Sequence, residues 1–300
     1  MSRRNPYLCV DPRTEPLAPA WRAGAATAGT RGSANAHRVG RALAAGAVLA
    51  ALAACRPSAA APGEPSTLTV FAAASLTDVF ERIGETFEEA HPETEVVFNF
   101  AASSALRTQL EEGAAADVAA FASEKDMQAL AESGLVDGDA VRVFAGNDLV
   151  VVVHPDSAAV AGTLADLANP GVKVVIAAEG VPAGDYARQV LESLSSTLGS
   201  SFGSKVLDNV VSEEDNVRQV LAKVQLGEAD AGWVYRSDGW SAPELQVLEI
   251  PEQANVRARY PIAVLSGAPQ PDAAIQFVEL VLSADGQRVI EGGGFLPAPP

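Results

Sequence analysis

From Thr67 onward, short apolar runs alternate with stretches of helical period, and this alternation limits the fold more than any other feature of the 300-residue chain. Apolar runs of roughly four to eight residues bounded by turn signals read as buried strands, whereas apolar residues three and four apart read as helices. In order, the pattern predicts strand Leu68 to Ala72, helix Leu76 to Ala90, strand Glu95 to Phe100, helix Ala105 to Glu112, strand Val118 to Phe121 and helix Glu124 to Ser133. The style repeats with strand Leu149 to His154, helix Thr163 to Leu167, strand Lys173 to Ala177, helix Tyr186 to Leu198, helix Val217 to Leu226 and strand Ala231 to Tyr235. Strands Leu245 to Ile250 and Arg257 to Leu265 then precede helices at Pro271 to Leu282 and near Asp285 to Ile290. Strands separated by helices form a mainly parallel sheet flanked by helices, so the class is α/β.

The count suits two lobes better than one. Crossings near Ala145 to Leu149 and Ser241 to Leu248 give each lobe an ordinary domain size. Residues 67–145 with 246–300 form the first lobe, residues 146–245 the second, and a ligand belongs in the cleft between them.

Residues 1–37 have no period and read as disordered or as preceding the true start. After them, residues 38–54 carry Arg38 and Arg41, then the run ALAAGAVLAALAA, in the layout of an export signal. The run is shorter than the roughly 20 residues of a membrane-spanning helix. Its end, Leu52, Ala53, Ala54 and Cys55, resembles the bacterial lipobox, which implies lipid attachment at Cys55 and a tether over residues 55–66. The chain is thus expected to be exported and held at the outer face of the cytoplasmic membrane. Loss of a leader with seven Arg, Asp11 and Glu15 leaves 14 basic against 36 acidic residues. The other cysteine, Cys9, lies upstream of the cleavage point, so the mature chain has no disulfide.

So acidic a chain, net −17 even before processing, is not a nucleic-acid binder, since phosphate backbones select surplus Lys and Arg. Enzyme signatures are lacking as well. After the leader the histidines are His91 and His154, each before a proline at an element boundary, and neither belongs to a nucleophile-elbow motif. There is no phosphate-binding glycine loop and no Cys/His cluster with metal-ligand spacing. The acidic pairs Glu88-Glu89, Glu111-Glu112 and Glu213-Glu214 read as solvated charge on helix surfaces or loops.

What remains is a set of strand-to-helix turns built from small and hydroxyl residues. In FAAASLTDVF, Ser75 stands between a strand and a helix; in NFAASSALRTQL, Ser103 and Ser104 do. Such a serine either caps its helix or, with the free amides there, grips an anion. EGVPAGDYA and EEDNVRQVL supply two more helix starts, with Asp215 or Asn216 able to cap the second, and AGWVYRSDG ends a strand at Tyr235. Each helix start offers unpaired N–H groups and about half a positive charge, enough to hold a small dianion without a countercharge.

Taken in order, FAAASLTD, FAASSALRTQLEEGAAADV, VPAGDYA, DNVRQVL and VYRSD resemble the landmarks of the periplasmic molybdate-binding proteins of ABC importers, over Thr67 to Leu296. The resemblance implies the type II periplasmic-binding-protein fold, two hinged lobes closing on a ligand. It implies oxyanion contacts from Ser75 and Ser103 by hydroxyl and backbone N–H, from the backbone N–H groups of Ala183 and Val217, and from the Tyr235 hydroxyl, with no residue bonded directly to the metal. It implies a non-catalytic monomer without a cofactor, delivering molybdate to a permease and its ATPase. Tungstate, nearly equal in size and charge, stays open as the alternative, as does the direction of Arg236.

Overall fold

In the computed structural model, which describes residues 66–298 except 158, 160 and 161, strand β1 (Ser66–Ala73) is buried without a break from Val70. An unbroken apolar end of this kind suits a strand covered on both faces. A short 3-10 turn, Ala74–Leu76, leads into helix α1 (Thr77–Ala90), whose Val79, Phe80, Ile83 and Phe87 form one buried stripe at helical spacing. Next come β2 (Thr94–Ala101), α2 (Ser103–Glu111), β3 (Val118–Ala120), α3 (Glu124–Glu132) and the long strand β4 (Arg142–Val153). The chain continues through β5 (Val174–Ala177), α4 (Pro182–Leu198), α5 (Phe202–Asp208), β6 (Val210–Glu214), α6 (Val217–Gln225), β7 (Ala231–Tyr235), α7 (Arg236–Ser241) and β8 (Gln246–Glu249). It closes with β9 (Arg257–Val264), α8 (Pro271–Leu282), α9 (Ala284–Gly292) and β10 (Leu296–Pro297). The expectations for residues 1–65, Cys55 included, lie outside the described residues.

Strand β4 serves two sheets. Its first half, Arg142 to Asp148, pairs antiparallel with β9, and its second half, Leu149 to Val153, lies between β7 and β8. The first sheet runs β2-β1-β3-β9-β4 and the second β4-β7-β5-β6, with β8 on the distal half of β4. Parallel pairing joins β1 to β2 and β3, and β5 to β6 and β7. The chain therefore passes between sheets at Asp148–Leu149 and again between Glu249 and Arg257. Strand β8 pairs within the second sheet, although the sequence reading puts residue 246 onward in the first lobe.

The first sheet is packed on both faces. One face carries an aromatic cluster in which Phe80, Phe87 and Phe98 surround Phe277 of α8, with ring centroids 5.6–6.3 Å apart; the other buries Leu106 and Leu110 of α2 against Met127 and Leu130 of α3. In the second sheet Trp233, fully buried, anchors the centre of β7.

Three further expectations change. Elements α5, β6 and α7 go unread in the sequence because they are short and carry mixed polarity. Pro182, Ala183 and Gly184 form the first turn of α4 instead of preceding it. Glu214 is not a solvated charge: it ends β6 nearly buried, with Lys223 Nζ 2.6 Å from its carboxylate and the Ser212 hydroxyl donating to it. Although burial opposes its ionisation, these contacts hold its pKa below the usual carboxylate value.

Candidate functional site

Parallel strands in register bring their carboxyl ends to one edge, and the segments that follow them meet there. Ala73 of β1 lies beside Ala101 of β2, so Ser75 and Ser103, just beyond, stand side by side. Ala177 of β5 lies beside Glu214 of β6, which places the starts of α4 and α6 together, and β7 ends nearby at Tyr235. Ser75, Ser103, Ala183, Val217 and Tyr235 all line a single cavity between the two sheets. It is small, about 20 Å³ of room for the centre of a water-sized sphere, against roughly 10–15 Å³ needed by one water. Among the described residues, the thirteen lining it include no ionisable group other than the Tyr235 phenol.

The serines do not cap their helices. Ser75 sits within the 3-10 turn, and its Oγ lies 2.9 Å from the Tyr260 hydroxyl. Ser103 is the first residue of α2, and its Oγ accepts the N–H of Ala122 at 2.9 Å, tying the turn after β2 to the turn after β3. That acceptance leaves the Ser103 hydrogen free to point elsewhere. The residue before α2 is Ala102, whose side chain has no capping group, so the first amides of that helix stay unclaimed by a cap.

The second lobe presents its amides by different means. Pro182 opens α4 and has no N–H, so the first amide of the helix is that of Ala183. Gly184 lets this turn sit tightly on the end of β5, where a Cβ would meet the carbonyl oxygens of Ala177 and Ala178 at 2.2 and 2.3 Å. Asn216 caps α6 by accepting the N–H groups of Arg218 and Gln219, at 3.0 and 3.2 Å. The cap takes the second and third amides and leaves that of Val217.

The Tyr235 side chain is fully buried, and its hydroxyl has no hydrogen-bond partner among the described residues. Burial raises its pKa well above the ordinary value, so it remains a neutral donor. A buried hydroxyl without a partner costs about 1–3 kcal/mol, and a ligand in the cavity would remove that cost.

Charge stands behind the wall. Arg218 donates to Asp78 across the cleft at 2.7 Å and lies 2.9 Å from Asp238, whose other oxygen accepts the Tyr235 N–H. Burial works against the Arg218 charge, yet the two carboxylates raise its pKa. Asp238, pushed up to about 6 by burial, is partly restrained by Arg218 and the Tyr235 amide. Arg236 is exposed and does not line the cavity. Sequence reasoning also passed over Tyr260 and Asn147, both fully buried behind Ser75, where Asn147 Nδ2 donates to Ser237 Oγ at 2.8 Å. Their signal was faint, since each stands among other polar residues, Asn147 beside Asp148 in β4 and Tyr260 beside Arg259 in β9.

Residues 68–296 match the family of bacterial extracellular solute-binding proteins. The chain is 40% identical over 255 residues to the molybdate-binding protein ModA of Mycobacterium tuberculosis, covering 83% of this chain and 94% of that one. It is 34% identical over 235 residues to the molybdate-binding protein ModA of Haemophilus influenzae, covering 76% and 89%. Among solved structures, the periplasmic molybdate-binding protein of Azotobacter vinelandii shares the fold with a TM-score of 0.68 at 20% identity, over 77% of this chain and 100% of that one. Two sheets sharing one long strand, with a cavity between the carboxyl ends of the strands in each, make the type II periplasmic-binding-protein fold, and the chain belongs to the bacterial extracellular solute-binding proteins.

Proposed function

We propose that the protein is the molybdate-binding component of an ABC importer, holding the dianion with the hydroxyls of Ser75, Ser103 and Tyr235, the amides of both serines, and the amides of Ala183 and Val217. One observation supports the reading: five residues that follow strands of two sheets line one small cavity, and each has an uncharged hydroxyl or amide donor in this reading. Helix starts supply local positive potential at contact range, while the surface acids act from farther away and are screened by salt. The named relatives bind molybdate; tungstate, the alternative open to sequence, is not favoured by them. In this reading the chain captures and hands over its ligand, as a monomer, to a permease driven by an ATPase, and needs no cofactor and no catalytic group.

The lobes are taken to divide at Asp148–Leu149 and between Glu249 and Arg257 and to close about these two crossings. Among the described residues no helix is long and apolar enough to cross a membrane. Attachment to the outer face of the cytoplasmic membrane is assigned to lipid on Cys55, so Cys55→Ala should move the protein out of the membrane fraction; a variant that stays there removes that assignment. The function is tested by calorimetric titration of the whole chain with molybdate, tungstate, sulfate and phosphate. Molybdate should bind tightly and sulfate and phosphate weakly, whereas tight sulfate binding or none to molybdate overturns the reading.

A further inference from the structure

We propose that Tyr260 is a positioning residue of the anion site: held as an acceptor by Asn147, it donates to Ser75 Oγ and so turns the serine hydrogen into the cavity. This rests on the anion-site reading above. The chain of contacts takes its direction from the orientation of the Asn147 amide, whose Nδ2 end faces two hydroxyls while its Oδ1 is buried without a hydrogen-bond partner among the described residues. Asn147 Nδ2 carries hydrogens and no lone pair for bonding, and it lies between the Ser237 hydroxyl at 2.8 Å and the Tyr260 hydroxyl at 3.5 Å, a long final reach. Both oxygens facing it must accept. Tyr260 is fully buried and its phenol is raised far above the ordinary range, chiefly by desolvation, so it keeps its proton. That proton has Ser75 Oγ at 2.9 Å to go to. Ser75, receiving there, is left to donate its own hydrogen outward.

A related arrangement holds on the neighbouring turn, where Ser103 Oγ receives the Ala122 N–H and keeps its own hydrogen available to donate. With Tyr235 unpartnered, each cavity hydroxyl then presents a hydrogen. The consequence is selectivity by proton count. A fully deprotonated oxyanion accepts from all of them, whereas one carrying a proton, such as hydrogen phosphate, brings a donor to serine oxygens that each already have one lone pair engaged. Were Ser75 free to turn, it could accept that proton and the discrimination would weaken. The ring of Tyr260 is fixed by edge-on contacts with Phe144, Tyr235 and Phe295 at 5.3–6.3 Å, so loss of the hydroxyl alone should leave the packing in place.

The test is a double-mutant cycle in the full chain, read by calorimetry with molybdate and with inorganic phosphate, melting curves confirming each fold. Tyr260→Phe should weaken molybdate about tenfold and narrow the preference over phosphate. In a Ser75→Ala background the same change should do nothing further. Asn147→Leu should cause a smaller loss, about threefold, that also vanishes without the serine. An unchanged Tyr260→Phe affinity, or an equal loss with and without Ser75, overturns the proposal, the latter because it marks a general structural role. No molybdate binding by the unmodified chain would instead overturn the site reading, and the inference with it.

Discussion

In the proposed site the two walls of the cavity would offer hydrogen-bond donors in different ways. On the first, the side-chain donors are the Ser75 and Ser103 hydroxyls, each held by a partner from a distant strand or turn. On the second, two of the three proposed donors are backbone amides, left uncapped by how the helices start: a proline without an N–H before Ala183, and an asparagine cap that passes over Val217. A hydroxyl wall can be broken one side chain at a time. An amide wall is indifferent to the side chains that carry it and fails only when a helix start moves.

The largest expected effect therefore comes from a residue without a side chain. A methyl group at Gly184 would lie 2.2 and 2.3 Å from two carbonyl oxygens of the strand end, and backbone cannot retreat as a flexible side chain does. Gly184→Ala should push the start of α4 off β5, destabilise the protein by about 3 kcal/mol, near the upper end of ordinary overpacking, and weaken molybdate more than a hundredfold. Urea unfolding and titration measure the two losses. Native affinity in this variant would mean that the Ala183 amide contributes little.

Next in size are two hydroxyl deletions that should cost similar affinity and opposite stability. A hydrogen bond to a charged group contributes about 1.5–3 kcal/mol, so Tyr235→Phe and Ser103→Ala should each weaken binding roughly ten- to a hundredfold. Tyr235→Phe removes an unpartnered buried group, so the empty protein should melt at the same temperature or higher. Ser103→Ala strands the Ala122 N–H, and the empty protein should lose about 1–3 kcal/mol. If both variants melt alike, the first wall is not held together by its hydroxyls.

This contrast also governs what sequence could show. Ser75 and Ser103 are visible because a hydroxyl at a strand-to-helix turn is a chemical signature, even though neither caps its helix as the plainest reading of such a serine would have it. Ala183 and Val217 have no signature, since every residue but proline has an amide; only the resemblance of VPAGDYA and DNVRQVL to known motifs singled them out. Tyr260 and Asn147 were invisible for a third reason: their role exists only once strands 113 residues apart in sequence lie side by side. Likewise the long periodic elements α1 and α8 were legible, while β6 and α7 were not. The amide-presenting device of α6 was half legible, with Asn216 named beside Asp215 as a cap.

Asp238 supports the second wall from behind, and its effect is a pH dependence. Its pKa, raised to about 6 by burial, means that the folded protein binds its proton more tightly than the unfolded chain. The stability it contributes is therefore full below the ordinary carboxylate value and lost as pH rises through about 6. From pH 7 to pH 5 the wild type should gain melting temperature relative to Asp238→Asn, in which the group no longer titrates. A constant difference between the two would mean that Arg218 holds the carboxylate ionised throughout.

The smallest effect on binding is expected where the comparison is sharpest. Val217→Ala shortens a buried side chain and keeps its amide, its position and the Asn216 cap. Two lost methylene equivalents should lower stability by about 1.6 kcal/mol, while molybdate affinity should stay within about twofold, because the ligand would meet only the backbone here. The cost would then be seen in urea unfolding of the empty protein and be nearly absent from titration. A tenfold affinity loss with the α6 start undisturbed would place the side chain itself in the contact surface, and the second wall could no longer be called one of amides.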